Sequence, residues 1–223
     1  LRKGHRKAAE RSPRGRRRVT GGAGSGSDLP FSCRCGAVKG VIEKAGPREG
    51  DFVVCHCTDC QTFANRFDAG DRVMDEQDAG TPLYQSRCAR MRIESGLDEL
   101  RCIHLTEGPT LRWYAGCCDT PLFNSYKNGK IPYVTTLVGN CDEGLRTRLL
   151  GEPIGHLFVD DDPACTGPVR RLSMNTLMRR FFVRMVKDIV SGDRRRSALF
   201  DPKTLEPIAP PMHATKEPIA HVG

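Results

Sequence analysis

The sequence predicts a mainly β domain that ends in one amphipathic helix and is flanked by segments too polar to fold. Three observations carry this. From residue 82 onward, short runs rich in β-formers recur at close spacing. Residues 170–190 switch to helical apolar spacing. Residues 1–28 hold almost no large apolar side chains, and 199–223 are broken by proline, so both ends lack surface to bury. The expected organisation is a basic arm with a Gly/Ser linker over 1–28, the β domain over 29–168, a helix packed on it over 169–198, and an extended tail over 199–223.

The elements follow in order. Residues 19–28 are a flexible linker by composition, and order should begin near Leu29. Residues 37–42 alternate weakly as a strand. Residues 51–54 (Asp-Phe-Val-Val) form a short apolar strand that runs into a cysteine cluster, and Gln61–Arg66 is a short helix or turn. Strands are predicted at 83–85, 91–94, 100–105, 111–114 and 133–138; Ser95-Gly96 and Glu107-Gly108-Pro109 separate them. Residues 143–168 read as loop, with Asp160-Asp161-Asp162 as an exposed acidic turn. Leu172, Leu177, Met178, Phe181, Met185, Val186 and Ile189 then mark the apolar face of the helix, opposite Arg179, Arg180, Arg184 and Lys187, with Gly192 as its stop.

The net charge of +8 sits in the arm, which has nine Lys or Arg against Glu10 and Asp28. The remaining residues carry 26 basic and 25 acidic side chains, so the folded part is no nucleic-acid surface. Only the arm offers polyanions a partner, and by composition a solvated, disordered tail is the favoured reading of it. No apolar leader segment and no bilayer-length run are found, and the oligomeric state is left open, a homo-oligomer included.

Eleven cysteines are grouped unevenly. Cys55-His56-Cys57-Thr58-Asp59-Cys60 places three soft ligands in one turn; Cys33-Arg34-Cys35-Gly36 precedes it and Cys117-Cys118 follows. Thiolates this close repel unless a cation holds them, and zinc is the usual one. Cys-x-Cys spacing makes poor disulfides, so a reducing, cytoplasmic setting with metal-bound thiolates is expected. Four ligands close a structural site and three leave a position open. Cys88, Cys102, Cys141 and Cys165 read as buried small hydrophobes or free thiols.

These three motifs, together with Gln61 and the run Cys118-Asp119-Thr120-Pro121-Leu122-Phe123, resemble the family of glutathione-dependent formaldehyde-activating enzymes and centromere protein V, over roughly residues 29–138. The resemblance implies a small zinc-stabilised β-tent with one or two Zn2+ per chain. It implies a structural zinc on Cys33, Cys35 and Cys118, and a second, open zinc on Cys55, Cys57 and Cys60. Two residues depart from the pattern. Ala115 stands where the family has the other late cysteine, so Cys117 is the candidate substitute, although adjacent cysteines seldom reach one tetrahedral ion together. Cys102, Cys88 and His104 are further candidates. Asp119 replaces a glycine, and Asp tolerates a left-handed backbone well.

The implied activity is that of a carbon–sulfur lyase: a thiol such as glutathione, as co-substrate, adds reversibly to a small aldehyde such as formaldehyde. Thr120 and Gln61 are candidates to stabilise the developing alkoxide. His104, Trp113 and Tyr114 read as strand-packing residues. The alternative is a non-catalytic, zinc-stabilised interaction module that contacts a partner through the arm or the helix.

Overall fold

The computed structural model describes residues 28–75 and 78–214. The predicted basic arm, apart from Asp28, and the tail from residue 215 lie outside the described residues. In chain order the strands are β1 (Leu29–Ser32), β2 (Lys39–Ile42), β3 (Asp51–Cys55), β4 (Thr81–Arg87), β5 (Met91–Ser95), β6 (Leu100–His104), β7 (Thr110–Ala115), β8 (Thr120–Tyr126), β9 (Tyr133–Leu137), β10 (His156–Leu157) and β11 (Pro211–His213). The helices are α1 (Thr58–Arg66), α2 (Gly70–Val73), α3 (Glu143–Leu150) and α4 (Met174–Ser191). The protein is mainly β, and no described helix is long and apolar enough to cross a membrane.

Two sheets form. The smaller has the order β1-β2-β5, and the larger β10-β3-β4-β9-β8-β7-β6-β11. Neighbours are antiparallel except at the two rims of the larger sheet, where β10 joins β3 and β11 joins β6 in parallel. Strand alternation builds two cores, because successive side chains leave a strand on opposite faces. Along β7, Leu111, Trp113 and Ala115 enter one core with Phe31 and Phe123, while Tyr114 enters the other with Phe63 and Phe67 of α1 and its C-terminal turn. The two cores therefore lie on either face of the larger sheet, and the second is covered by α1.

Every predicted strand forms. Four further strands, β1, β8, β10 and β11, lie outside the predicted runs. β8 is buried along nearly its whole length, so it lacks a polar face to alternate with. It also carries Pro121, which cannot donate to a ladder. The β7–β8 pairing shifts register between Trp113 and Tyr114, where Tyr114 faces Pro121.

Three expectations about the last third need correction. First, residues 143–168 are not all loop. Asp142 caps α3 by accepting from the Leu145 amide at 2.8 Å, and Gly151 ends it at φ 67°. Only Leu150 of α3 is buried, which explains its faint pattern.

Second, 199–214 is no disordered tail. Leu199, Phe200, Leu205 and Ala209 are buried, Phe200 meets Trp113 edge-on at 6.1 Å, and β11 covers the β6 edge.

Third, α4 docks on a different side from the one its apolar spacing suggests. Leu177, Phe181 and Asp188 are buried, whereas Met178, Val186 and Ile189 are exposed. Two ion-pair sets set this rotation. Arg180 Nε meets buried Asp51 at 2.6 Å, with Arg184 on the same carboxylate, and buried Asp188 pairs with Arg87 of β4. Ser173 precedes α4 and Gly192, at φ 77°, ends it as expected.

Candidate metal centres

The first centre joins the two sheets. Cys33 and Cys35 lie in the turn between β1 and β2. The Cys33 amide bonds to Val38 O at 2.9 Å, the Gly36 amide bonds to Cys33 O at 3.1 Å, and Gly36 sits at φ 78°, where a Cβ would strain. The fold brings Cys117 and Cys118, in the turn between β7 and β8, against this pair. The Sγ–Sγ distances are 3.5 Å for Cys33–Cys35, 3.9 Å for Cys33–Cys117, 3.4 Å for Cys35–Cys117 and 3.8 Å for Cys117–Cys118. A tetrahedron with Zn–S bonds of about 2.3 Å has edges of about 3.8 Å, so the four thiols fit one ion.

The two adjacent cysteines therefore do reach one point, contrary to the expectation that they would diverge. Asp119, directly after the pair, adopts φ 53°, a left-handed turn that leads the chain into β8. Cys102, Cys88 and His104 are elsewhere. Cys102 is buried against Ala209 O, Cys88 is buried, and His104 stacks on His213 at 5.2 Å.

Ionisation within this centre is uneven. Burial raises the Cys118 pKa, but the Thr120 hydroxyl, the Cys35 amide and the neighbouring thiols outweigh it and bring it down to about 6. Cys117 moves up, first through burial and then through the thiols of Cys35, Cys118 and Cys33. Thr120 Oγ1 lies 3.1 Å from Cys118 Sγ and accepts from the Arg34 amide at 3.0 Å. It is thus engaged at the four-cysteine centre and not, as expected, at the three-cysteine cluster.

The second centre lies on the other face of the larger sheet. Cys55 ends β3, Cys57 is the N-cap of α1 and Cys60 lies in its first turn. The Cys60 amide bonds to Cys57 O at 3.0 Å, closing the turn. Cys55 and Cys57 Sγ are 3.4 Å apart, and the three Sγ atoms lie within 4.8 Å of one another. Cys55 and Cys60 are buried; Cys57 is half-buried and is the member nearest solvent.

Arg112 is the residue the sequence reading missed. It sits on β7 between Leu111 and Trp113, and alternation turns it to the α1 face. Arg112 is 5% exposed, its Nη1 lies 3.4 Å from Cys60 Sγ, and its Nη2 lies 3.5 Å from Asp59. Its guanidinium also stands 5.9 Å from the Phe63 ring centre. A signal was present, since an arginine inside an apolar strand must find a buried partner.

Hydrogen bonds from Cys55 and Cys57 hold the Cys60 thiol well below its usual pKa; burial opposes them and Arg112 assists. Cys55 moves up because its bonds to Cys57 and Cys60 favour its protonated form, and burial adds to this. Cys57 is also raised: the Cys55 bond favours its thiolate, but Cys60 and burial outweigh it.

The intervening residue, His56, faces away from the cluster. It is completely buried, with Nδ1 3.1 Å from Asp162 Oδ2. Gln61 Nε2 donates to the same oxygen at 2.9 Å, so its amide group serves Asp162 and not the cysteines. The acidic turn is therefore split: Asp160 is exposed and pairs with Arg171, whereas Asp162 is buried. Trp113 and Tyr114 pack as expected, the first bonding Ser125 Oγ at 2.8 Å and the second lying 4.5 Å from the Phe67 ring.

A family profile described as a family of unknown function, DUF6151, matches residues 26–144. That span contains all seven cysteines of both clusters and stops before α4. No curated protein matches the chain. Among solved structures, a Rhodobacter sphaeroides protein is similar at 17% identity and a TM-score of 0.38, over 53% of this chain and 92% of that one.

Proposed function

The chain belongs to this family of unknown function, DUF6151, so its activity has to be argued from its own residues, and we propose that it is a zinc-dependent carbon–sulfur lyase acting on thiol–aldehyde adducts. The observation that carries this is the convergence of Cys55, Cys57 and Cys60 on one point beside buried Arg112, a group of three donors, not four, among the described residues. The four-cysteine centre, which has a full tetrahedral set, suits a structural zinc that ties the smaller sheet to the larger. The three-cysteine set leaves one position free. Zinc there would supply a site for a soft donor such as a substrate thiolate.

The chain's own residues divide the remaining work. Cys55, Cys57 and Cys60 would hold the ion, with Cys57 on the side that substrate approaches. Three thiolates and one Zn2+ leave a net charge of −1, and Arg112 offsets it. The Phe63 ring and the core beneath α1 keep water from the buried sulfurs. In the reaction, the sulfur electron pair of a glutathione-type thiol forms the C–S bond to a small aldehyde such as formaldehyde. The carbonyl π pair moves to oxygen, and the thiol proton ends there. The reverse step releases thiol and aldehyde.

The test uses the full, zinc-loaded chain with glutathione and 13C-formaldehyde, following exchange between free and thiol-bound carbon by NMR. Exchange should be faster than in buffer, and Cys57→Ser should remove the acceleration. Equal exchange rates with and without protein would rule the activity out.

One observation favours a second reading, a zinc-stabilised interaction module. On α4, Phe182, Val183 and Val190 are 57%, 72% and 82% exposed. In that case Cys57→Ser would leave binding of a partner intact, and Val183→Glu would weaken it.

A further inference from the structure

We propose a third metal site, formed by His56, His156 and Asp78, that takes a divalent transition-metal ion such as Zn2+. The three donors come from three separate segments. His56 follows β3, and strand alternation sends it to the side opposite Cys55. His156 arrives on β10, which pairs with β3 in parallel and sets His156 opposite Val54. Asp78 arrives on the segment that leads into β4.

These donor atoms surround one point. His56 Nε2 and His156 Nδ1 are 3.0 Å apart, and Asp78 Oδ2 lies 3.7 Å from the first and 3.5 Å from the second. With Zn–N and Zn–O bonds of about 2.0–2.1 Å, tetrahedral edges are about 3.3–3.4 Å, in the middle of these distances. Cys165 Sγ lies 3.9 Å from the same His56 Nε2 but does not join the three-donor group.

The surroundings of His56 are those of a metal-bound histidine. Its other nitrogen faces Asp162, whose Oδ2 also accepts from Gln61 and whose Oδ1 accepts from the Ala164 amide at 2.9 Å. Asp162 is thus an acceptor throughout, which places the imidazole proton on Nδ1 and turns the Nε2 lone pair toward the other donors. A buried carboxylate orienting a ligand histidine through its far nitrogen is the usual second support of such sites. Gly80 lets the Asp78 segment close over the ring, since a Cβ there would stand 2.7 Å from His56 Cε1 and 2.4 Å from Val54 Cγ1. A hydrogen bond between the two imidazoles would account for the 3.0 Å contact alone. It would leave out Asp78 Oδ2, which lies within 3.7 Å of both ring nitrogens.

This site is independent of the lyase reading, because it uses none of the seven clustered cysteines. The experiment is zinc content per chain after equilibration with micromolar Zn2+ and removal of loose metal, for the full chain, His156→Ala and Asp78→Ala. Asp78 is partly exposed, so its variant keeps the fold within reach if His156→Ala does not fold. The expected result is three zinc ions in the parent and two in each folded variant, while Cys57→Ser separately loses a different one. Equal zinc content in the parent and both variants would overturn the third site and leave the cysteine centres untouched.

Discussion

The guanidinium of Arg112 lies 3.4 Å from the Sγ of Cys60, with both side chains buried. Isolated charges are not tolerated at that depth, so each requires the other. The pairing crosses from the middle of β7 to the first turn of α1 and thus links the cysteine cluster to the sheet beneath it.

Arg112→Met keeps most of the side-chain volume and removes the charge. Zinc affinity at the three-cysteine cluster should fall about 10–100-fold, the usual effect of losing a supporting group around a metal. Chelator competition would measure it, and Arg112→Lys should recover part of the loss. Unchanged affinity in Arg112→Met would mean that the cluster carries no charge for Arg112 to offset.

Cys117→Ala removes one corner of the four-cysteine tetrahedron. Zinc content should drop by one ion, and thermal stability should drop with it, because the centre ties the β1–β2 turn to the β7–β8 turn. Cys88→Ala and Cys102→Ala should leave zinc content unchanged, since both thiols are buried in core and burial pushes each pKa up to about 12. Zinc loss in either control would mean that the ligands were assigned wrongly.

The sequence made seven of the eleven described strands and the cysteine motifs legible because each signal is local: alternation within a strand, ligand spacing within a turn. What it hid was set by tertiary contacts. Adjacent Cys117 and Cys118 meet Cys33 and Cys35 only when the β7–β8 turn is folded against the β1–β2 turn. Arg112 signals from its apolar strand that it needs a buried partner, but which partner shows only when β7 is laid under α1. The apolar spacing of α4 is genuine, yet the buried carboxylates Asp51 and Asp188 rotate the helix so that Arg180 and Arg184 face the domain. His156 and Asp162 became partners of His56 from 100 residues or more away.

Glu49 gives a pH dependence with a definite sign. Its carboxylate accepts from Arg87 at 2.7 Å and Arg90 at 3.0 Å. Burial opposes its charge, but these bonds outweigh it and hold its pKa below the ordinary 4.5. A lowered carboxylate pKa contributes stability that is present above the unfolded value and is lost as pH falls through the folded one. Glu49→Gln should therefore cost about 1–2 kcal/mol at pH 7, the scale of hydrogen bonds to a charged group. The gap from the parent should close as pH falls below about 4.5. Urea unfolding of both proteins at each pH cancels effects they share, such as acid release of metal. A gap that stayed constant with pH would show that Glu49 acts through packing instead.

Asp51 decides how α4 is held. It begins β3, its side chain is inaccessible to solvent, and it receives both Arg180 and Arg184. Arg184 is 16% exposed and Arg180 is 44% exposed, so solvent screens the second pair far more than the first. Removing the shared carboxylate leaves Arg184 with a charge it cannot easily rehydrate. Asp51→Ala should cost about 3 kcal/mol, the lower end for breaking a buried pair. Arg184→Ala should approach that figure, because it too leaves a buried partner short of charge, whereas Arg180→Ala should cost less than about 1 kcal/mol. The loss should be local as well as global. With its anchor gone, α4 should open more often and expose its arginines, so trypsin should cut within 174–191 before the rest of the domain. Asp188, paired with Arg87 on β4, holds only the far end of the helix and should not prevent this. Asp51→Ala with parent-like unfolding and no early cut in α4 would show that Leu177 and Phe181 hold the helix by apolar contact alone.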